Sequence, residues 1–218
     1  MLVKRIKKNN LLIDGIIPNR KAFTTKMLNI LYHHFEKNGN KFIIHISKIL
    51  NDLEMDKNDT NNKNMVKQAL KDLQEPILLK NIEYKKEKIE WIQAAFLTNV
   101  ISYKNGKYND LHITINKIII NGLKQKESFT PVELSISNKF KTKYGLEIYE
   151  LFLRNKNFRK YTTTFNLEAL NLKFNTNYKY MSNVIVRLEN GLKEIKNITN
   201  TDIKIDYNKQ EKLLKFFW

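Results

Sequence analysis

Apolar positions along the chain fall into two successions of the same kind. Met27, Leu28, Leu31 and Phe35 recur at helical spacing, which predicts a helix over 25–37 with Thr24 as its cap and Gly39-Asn40 as its stop. KFIIHI reads as a short strand, and Ser47 is placed to cap the helix KILNDLE. After the polar loop MDKNDTNN, an inward set of Met65, Val66, Ala69, Leu70 and Leu73 predicts a helix that begins at Asn62 and is ended by Pro76. Proline disfavours helical geometry in the residue before it. Three extended segments follow, ILLKNIEY, KIEWIQAAFLTNVISY and KYNDLHITI. Asn105-Gly106, between the last two, is a strong hairpin signal.

The order then repeats. A helix over Asn138 to Asn155 turns Tyr144, Ile148, Leu151 and Phe152 inward, and FNLEALNLKF holds a short helix. NYKYMSNVIVRLENGL, continuing into Ile195, makes a longer one with Met181, Val184, Ile185, Leu188 and Leu192 as its apolar stripe. TDIKIDY and KLLKFFW are strands joined by Asn208-Lys209-Gln210-Glu211. Each half therefore runs helix, short helix, longer helix, β-hairpin, which is the order of a helix-turn-helix with a strand pair behind it. The expected fold is α+β: two tandem winged-helix domains over 1–126 and 127–218, joined within Lys124–Phe140.

Composition narrows the partner. The chain has 218 residues, 42% of them hydrophobic, enough for real cores. No apolar run approaches the roughly 18–20 residues that span a bilayer. MLVKRIKKNN is followed by the short LLIDGII with Asp14 in its middle, a poor signal peptide. With no Cys there is neither a disulfide framework nor a thiolate metal site. A cytoplasmic protein with no membrane partner is expected. The net charge is +17, with 23 basic against 12 acidic residues over 1–126 and 16 against 10 over 127–218. AT-rich coding drift would enrich Glu codons along with Lys, so it does not account for the imbalance. A positive field of this size attracts polyanions, and nucleic acid is the expected partner ahead of an acidic protein or a membrane surface. Charge gives the partner class only.

The outward face of the 179–190 helix sharpens that expectation. Lys179, Ser182, Asn183, Val186 and Arg187 share it, where an ordinary solvated face carries Glu, Lys and Ala. In a helix-turn-helix the second helix enters the major groove with its N-terminal residues against base edges. Asn pairs bidentately with adenine, Arg with guanine, and an aliphatic group packs on a thymine methyl. Asn183, Arg187 and Val186 supply these three chemistries, while Lys179, Tyr180 and Ser182 are placed for phosphate contacts. In the first half the equivalent face offers Lys63, Asn64, Lys67, Gln68 and Lys71. Lysines at i, i+4 and i+8 form a basic stripe suited to phosphate, because an ammonium is a point charge without a fork. Two hairpin tips, carrying Lys85 and Lys86 and Lys209 and Lys212, are candidate wings.

Catalytic signals are sparse. None of the six glycines falls in a GxxxxGK[ST] loop. Asp52, Glu54, Asp56 and Asn58 alternate like a calcium loop, but Lys57 stands where glycine is needed and Lys63 where the bidentate Glu belongs. His33-His34 project about 100° apart on a helix, and His45 and His112 stand alone in strands. A nicking enzyme would need a His-hydrophobic-His pair that the chain lacks. No enzyme, metal or cofactor is expected.

Three stretches resemble a known family. FLTNVISYKNGKYNDLHITINKIII is similar to the closing hairpin of the first domain of twin winged-helix replication initiators, the iteron-binding proteins of theta-replicating plasmids. FTPVELSISNKFKTKYGLEIYELFLRN resembles the opening of their second domain through Phe129, Lys143-Tyr144 and Ile148-Tyr149-Glu150-Leu151. YKYMSNVIVRLENGLKEIKNITNTDIKIDY resembles their recognition helix and the strand after it. The likeness covers about residues 20–218. The chain departs from the pattern in carrying a single Arg on the recognition helix and Asn190-Gly191 where members tend to have Asp-Pro. The resemblance implies a protein that binds directly repeated double-stranded DNA at an origin, opens adjacent AT-rich DNA and recruits the host initiator and helicase. It also implies a homodimer, joined through the first domain, that represses its own gene. The alternatives are a dedicated repressor of the same fold, a DNA-nicking enzyme, and a module that binds protein instead of DNA.

Overall fold

The chain runs from strand β1 (Arg5–Asn9) through helix α1 (Ala22–Asn38), strand β2 (Lys41–His45) and helices α2 (Ile46–Asp52) and α3 (Thr60–Asp72). Strands β3 (Pro76–Tyr84), β4 (Glu87–Ala95), β5 (Leu97–Asn105) and β6 (Tyr108–Ile115) come next. Strand β7 (Phe129–Glu133) leads into the single turn α4 (Leu134–Ser137), helix α5 (Lys143–Asn157) and strand β8 (Thr162–Phe165). Helices α6 (Leu167–Phe174) and α7 (Met181–Thr199) and strands β9 (Lys204–Asn208) and β10 (Leu213–Phe217) complete it. This computed structural model describes residues 5–10, 13, 21–84, 87–105, 108–119, 129–157 and 159–218.

Two compact units result, one built from α1 to β6 and the other from β1 with β7 to β10. Both are winged helices of one topology. In the first, β2 and β5 flank β6, giving the order β2-β6-β5, all antiparallel. Buried Leu28 and Leu31 of α1, Ile49 and Leu50 of α2, and Val66 and Leu70 of α3 supply its core with Ile44, Leu111 and Ile113 of the sheet. In the second, the order β8-β10-β9 repeats the arrangement. Its core draws on Tyr144 and Ile148 of α5, Leu170 and Phe174 of α6, Val184 and Leu188 of α7, and Leu214 and Phe216 of β10.

The structure corrects the expected domain limits at the N-terminus. The 1–126 division assigned the first strand to the first domain, yet β1 runs antiparallel to β7, with Ile6 opposite Val132 and Lys8 opposite Thr130. Lys8 is fully buried, and its ammonium donates to both oxygens of the equally buried Glu150 of α5 at 2.9 and 2.7 Å. Removing one partner of such a pair would leave the other charge uncompensated away from water, at a large cost. A lysine in a basic N-terminal run reads as solvated, and its carboxylate partner lies 142 residues away.

Both strand pairs expected in the first unit form, β3 with β4 and β5 with β6, but they belong to separate sheets. KIEWIQAAFLTNVISY does not continue as one strand. It breaks at Phe96, which is fully buried and whose carbonyl accepts from Asn116 N at 2.9 Å. β3 and β4 therefore form their own two-stranded sheet, and the counterpart of the second unit's wing is β5–β6. The Lys85-Lys86 tip, a candidate wing, lies outside the described residues.

Several helix ends shifted, and two hydroxyls read as caps found other partners. α1 starts at Ala22, and Thr24 sits buried within it, donating to Asp72 Oδ2 at 3.0 Å. Ser47 lies inside α2, hydrogen-bonded to His45 Nδ1 at 2.6 Å. The cap of α3 is Asp59, which accepts from Asn61 N, and Met65, expected inward, is 42% exposed. The helix expected from Asn138 begins only at Lys143, after the separate turn α4.

Candidate nucleic-acid interface

The turn between α6 and α7 is built from asparagines. Asn166 caps α6 by accepting from Ala169 N at 2.7 Å. α6 ends at Asn175, whose φ of 46° is left-handed, a region Asn tolerates better than most residues. Lys143 of α5 donates to the last carbonyl of α6, Phe174 O, at 2.7 Å, satisfying one of the orphan acceptors of a helix end. Asn171 then braces the turn. Its Nδ2 donates to Tyr178 O at 2.9 Å, and its Oδ1 accepts from Tyr178 N at 3.0 Å and Thr176 Oγ1 at 2.9 Å. One amide thus holds both backbone groups of Tyr178 and fixes where α7 begins.

α7 is seated by its inner stripe. Met181, Val184, Leu188, Gly191 and Ile195 are buried, with Ile185 and Leu192 half-buried beside them. At Gly191 the helix meets α5 so closely that a Cβ would lie 2.9 Å from Gly145 N and 3.0 Å from Tyr144 C. Three residues on, the Glu194 carboxylate accepts from Lys141 N at 2.5 Å and from both Thr142 N and Thr142 Oγ1, capping the start of α5. These contacts leave α7 one orientation, with its other side outward.

On that outward side the expected residues come together. Lys179, Ser182, Asn183 and Arg187 are exposed, as are Tyr180 at 68% and Val186 at 56%. The Tyr180 side chain makes no capping hydrogen bond and the first turn of α7 holds no acidic residue, so no carboxylate there offsets the positive end of the helix dipole. The Tyr144 hydroxyl lies 3.4 Å from that of Tyr178. Burial pushes the Tyr144 phenol above its ordinary range. The hydrogen bond from Tyr144, followed by the nearby Arg187, lowers Tyr178.

The wing of this unit is the β9–β10 turn, where Asn208 Oδ1 accepts from Gln210 N at 3.0 Å and Glu211 N at 3.1 Å. Lys209 and Lys212 are exposed at its tip, Lys212 with a φ of 54°. In the other unit α3 presents exposed Asn64, Lys67 and Lys71, with Lys63 half-buried. Its Gln68 is turned back, donating to Asp72 Oδ1 at 2.8 Å. Among the described residues no cluster of three or more His, Asp or Glu could hold a metal ion, and no helix is long and apolar enough to cross a membrane.

Asn171, Tyr178 and Glu194 went unmarked in the sequence, while Lys143 and Tyr144 were marked only as carriers of the resemblance and, for Tyr144, as a core position. Only the polar run Asn175-Thr176-Asn177 signalled a built turn.

No curated protein matches the chain in sequence. Among solved structures, the Pi initiator protein in complex with iteron DNA superposes with a TM-score of 0.72 at 16% identity, covering 97% of this chain and 95% of that one; this likeness establishes the fold. Two structures of RctB domains 2 and 3 match at TM-scores of 0.49 and 0.47, with 13% and 14% identity, each covering 89% of this chain and 79% of its own. A family model, initiator replication protein WH1, matches residues 5–153. That span takes in the whole first winged helix and the opening of the second, and the chain belongs to the initiator replication protein family.

Proposed function

We propose that the chain is a plasmid replication initiator that binds repeated origin DNA through its winged helices, acting by binding and not by bond-breaking chemistry. The observation that carries this is the outward face of α7, which holds an amide, a guanidinium and an isopropyl group together on a helix seated after a braced turn. In the groove, Asn183 reads adenine, Arg187 guanine and Val186 a thymine methyl. Lys179, Tyr180, Ser182 and the N-terminal amides of α7 seat the helix on phosphates. In the first unit, Lys67 and Lys71 neutralise backbone charge. The Pi initiator, of the same fold, was crystallised with iteron DNA, which supports directly repeated sites as the target. The sequence resemblance further supports a dimer, repression of the chain's own gene, and recruitment of the host initiator and helicase.

The test has two arms. Fluorescence anisotropy on duplexes carrying the repeats upstream of the gene, against scrambled duplexes, yields a preference for the repeats. If six to eight phosphates are neutralised, log K falls against log salt with a slope of roughly −5 to −7. A plasmid carrying only the gene and those repeats then replicates in a permissive host. Tight binding with no replication makes the chain a repressor; equal binding to both duplexes removes base readout.

A further inference from the structure

Lysines are seldom buried unless they are paired, yet Lys8 of β1 is fully buried and Lys173 of α6 is only 9% exposed. Both take part in one arrangement. Lys8 gives its ammonium to Glu150 of α5 at 2.9 and 2.7 Å, and Lys173 gives its own to the Ile13 carbonyl. The N-terminal segment thus donates a cation to α5 and receives one from α6. Between these two points Asn10 Oδ1 accepts from Thr130 Oγ1 at 2.6 Å, both residues buried. Ile6 and Ile13 anchor the segment, each 1% exposed. The helices it joins are the two that seat α7: α5 meets it at Gly145 and Gly191, and Asn171 of α6 holds the turn from which it starts. We infer that β1, Asn10 and Ile13 form a positioning strap that holds α5 and α6 in the relation that aims α7 at base edges. This rests on the reading of α7 as the base-reading helix.

Release of the strap takes from Glu150 the ammonium that offsets its charge and from Lys173 a carbonyl acceptor. The surroundings of α5 and α6 then change together. Hydrogen bonds weaken steeply as their angle departs from linear, so a small movement of α7 blunts the contacts of Asn183 and Arg187 with base edges. Phosphate contacts made by ammonium groups have no fork to align and survive the same movement. A loosened strap therefore costs sequence preference before it costs affinity.

The experiment selects bound duplexes from a randomised library with the full chain and reads base preference at each position by sequencing. Lys8→Met leaves the buried Glu150 without its ammonium and is expected to release the strap, seen as faster trypsin cleavage after Arg5 and Lys7. Preference at the base pairs read by Asn183 and Arg187 then falls about 3- to 10-fold. The salt slope stays as in the wild type, since buried Lys8 meets no phosphate. Lys8→Met/Glu150→Leu, an apolar pair of similar volume, redocks the strap and restores both the resistance to trypsin and the preference. A strap that only adds stability would lower Tm in Lys8→Met and leave base preference untouched, because ratios among bound duplexes do not depend on the folded fraction. That result overturns the inference, as does a lowered preference without faster cleavage, or one that the double variant does not restore. If the wild-type protein enriches no sequence, the base-reading assignment falls as well.

Discussion

Helices α7 and α3 hold the same place in their two winged helices, but they offer different chemistry. α7 has 19 residues and presents Ser182, Asn183, Val186 and Arg187 beside a braced turn. α3 has 13 and presents Asn64, Lys67 and Lys71, while its one exposed glutamine is tied back to Asp72. Forked and planar groups discriminate base edges, whereas ammonium groups satisfy any phosphate. One topology, used twice, can therefore divide the work of binding, with one helix supplying sequence preference and the other affinity.

The comparison can be broken at its foundation by unseating α7. Leu188→Ala, at a fully buried position, is expected to cost about 2–5 kcal/mol, read as a fall in Tm. Met65→Ala on the exposed side of α3 should stay within roughly 0.5 kcal/mol. Equal shifts would mean that the two helices are not seated as described. A sharper cut leaves the fold intact: Arg187→Ala should lose about 1–3 kcal/mol on the specific duplex and relax one base pair. Equal loss on random duplex would reassign it to phosphate. Smallest is Lys67→Ala, expected to weaken every duplex alike and reduce the salt slope by about 0.9. A loss confined to the specific site would reverse the roles of the two helices.

Much of this was legible along the chain. The stripe Met181, Val184, Leu188 had only one way to be buried, and once it was, Asn183 and Arg187 had to face outward. Helical periodicity is local, so sequence carries it. The caps were not legible in the same way. Thr24 and Ser47 look like caps because a hydroxyl can satisfy an open N–H, but each took a partner brought near by folding or by a neighbouring ring. Met65 sat at the edge of its stripe, where a small rotation of the helix decides between core and solvent.

The sequence by itself determined the order of the main helices and the closing hairpin in each half, the repetition of that order, the positive field and the outward chemistry of α7, but not the strands β1, β7 and β8. Periodicity, turn residues and composition are properties of neighbours in the chain. Tertiary structure alone decided that β1 joins the second unit through Lys8 and Glu150, that Phe96 divides one apparent strand into two sheets, and that Tyr144 and Tyr178 meet. Each joins groups from separate elements, and a buried charge, a buried ring or a shared hydroxyl finds its partner only when packing excludes water from both.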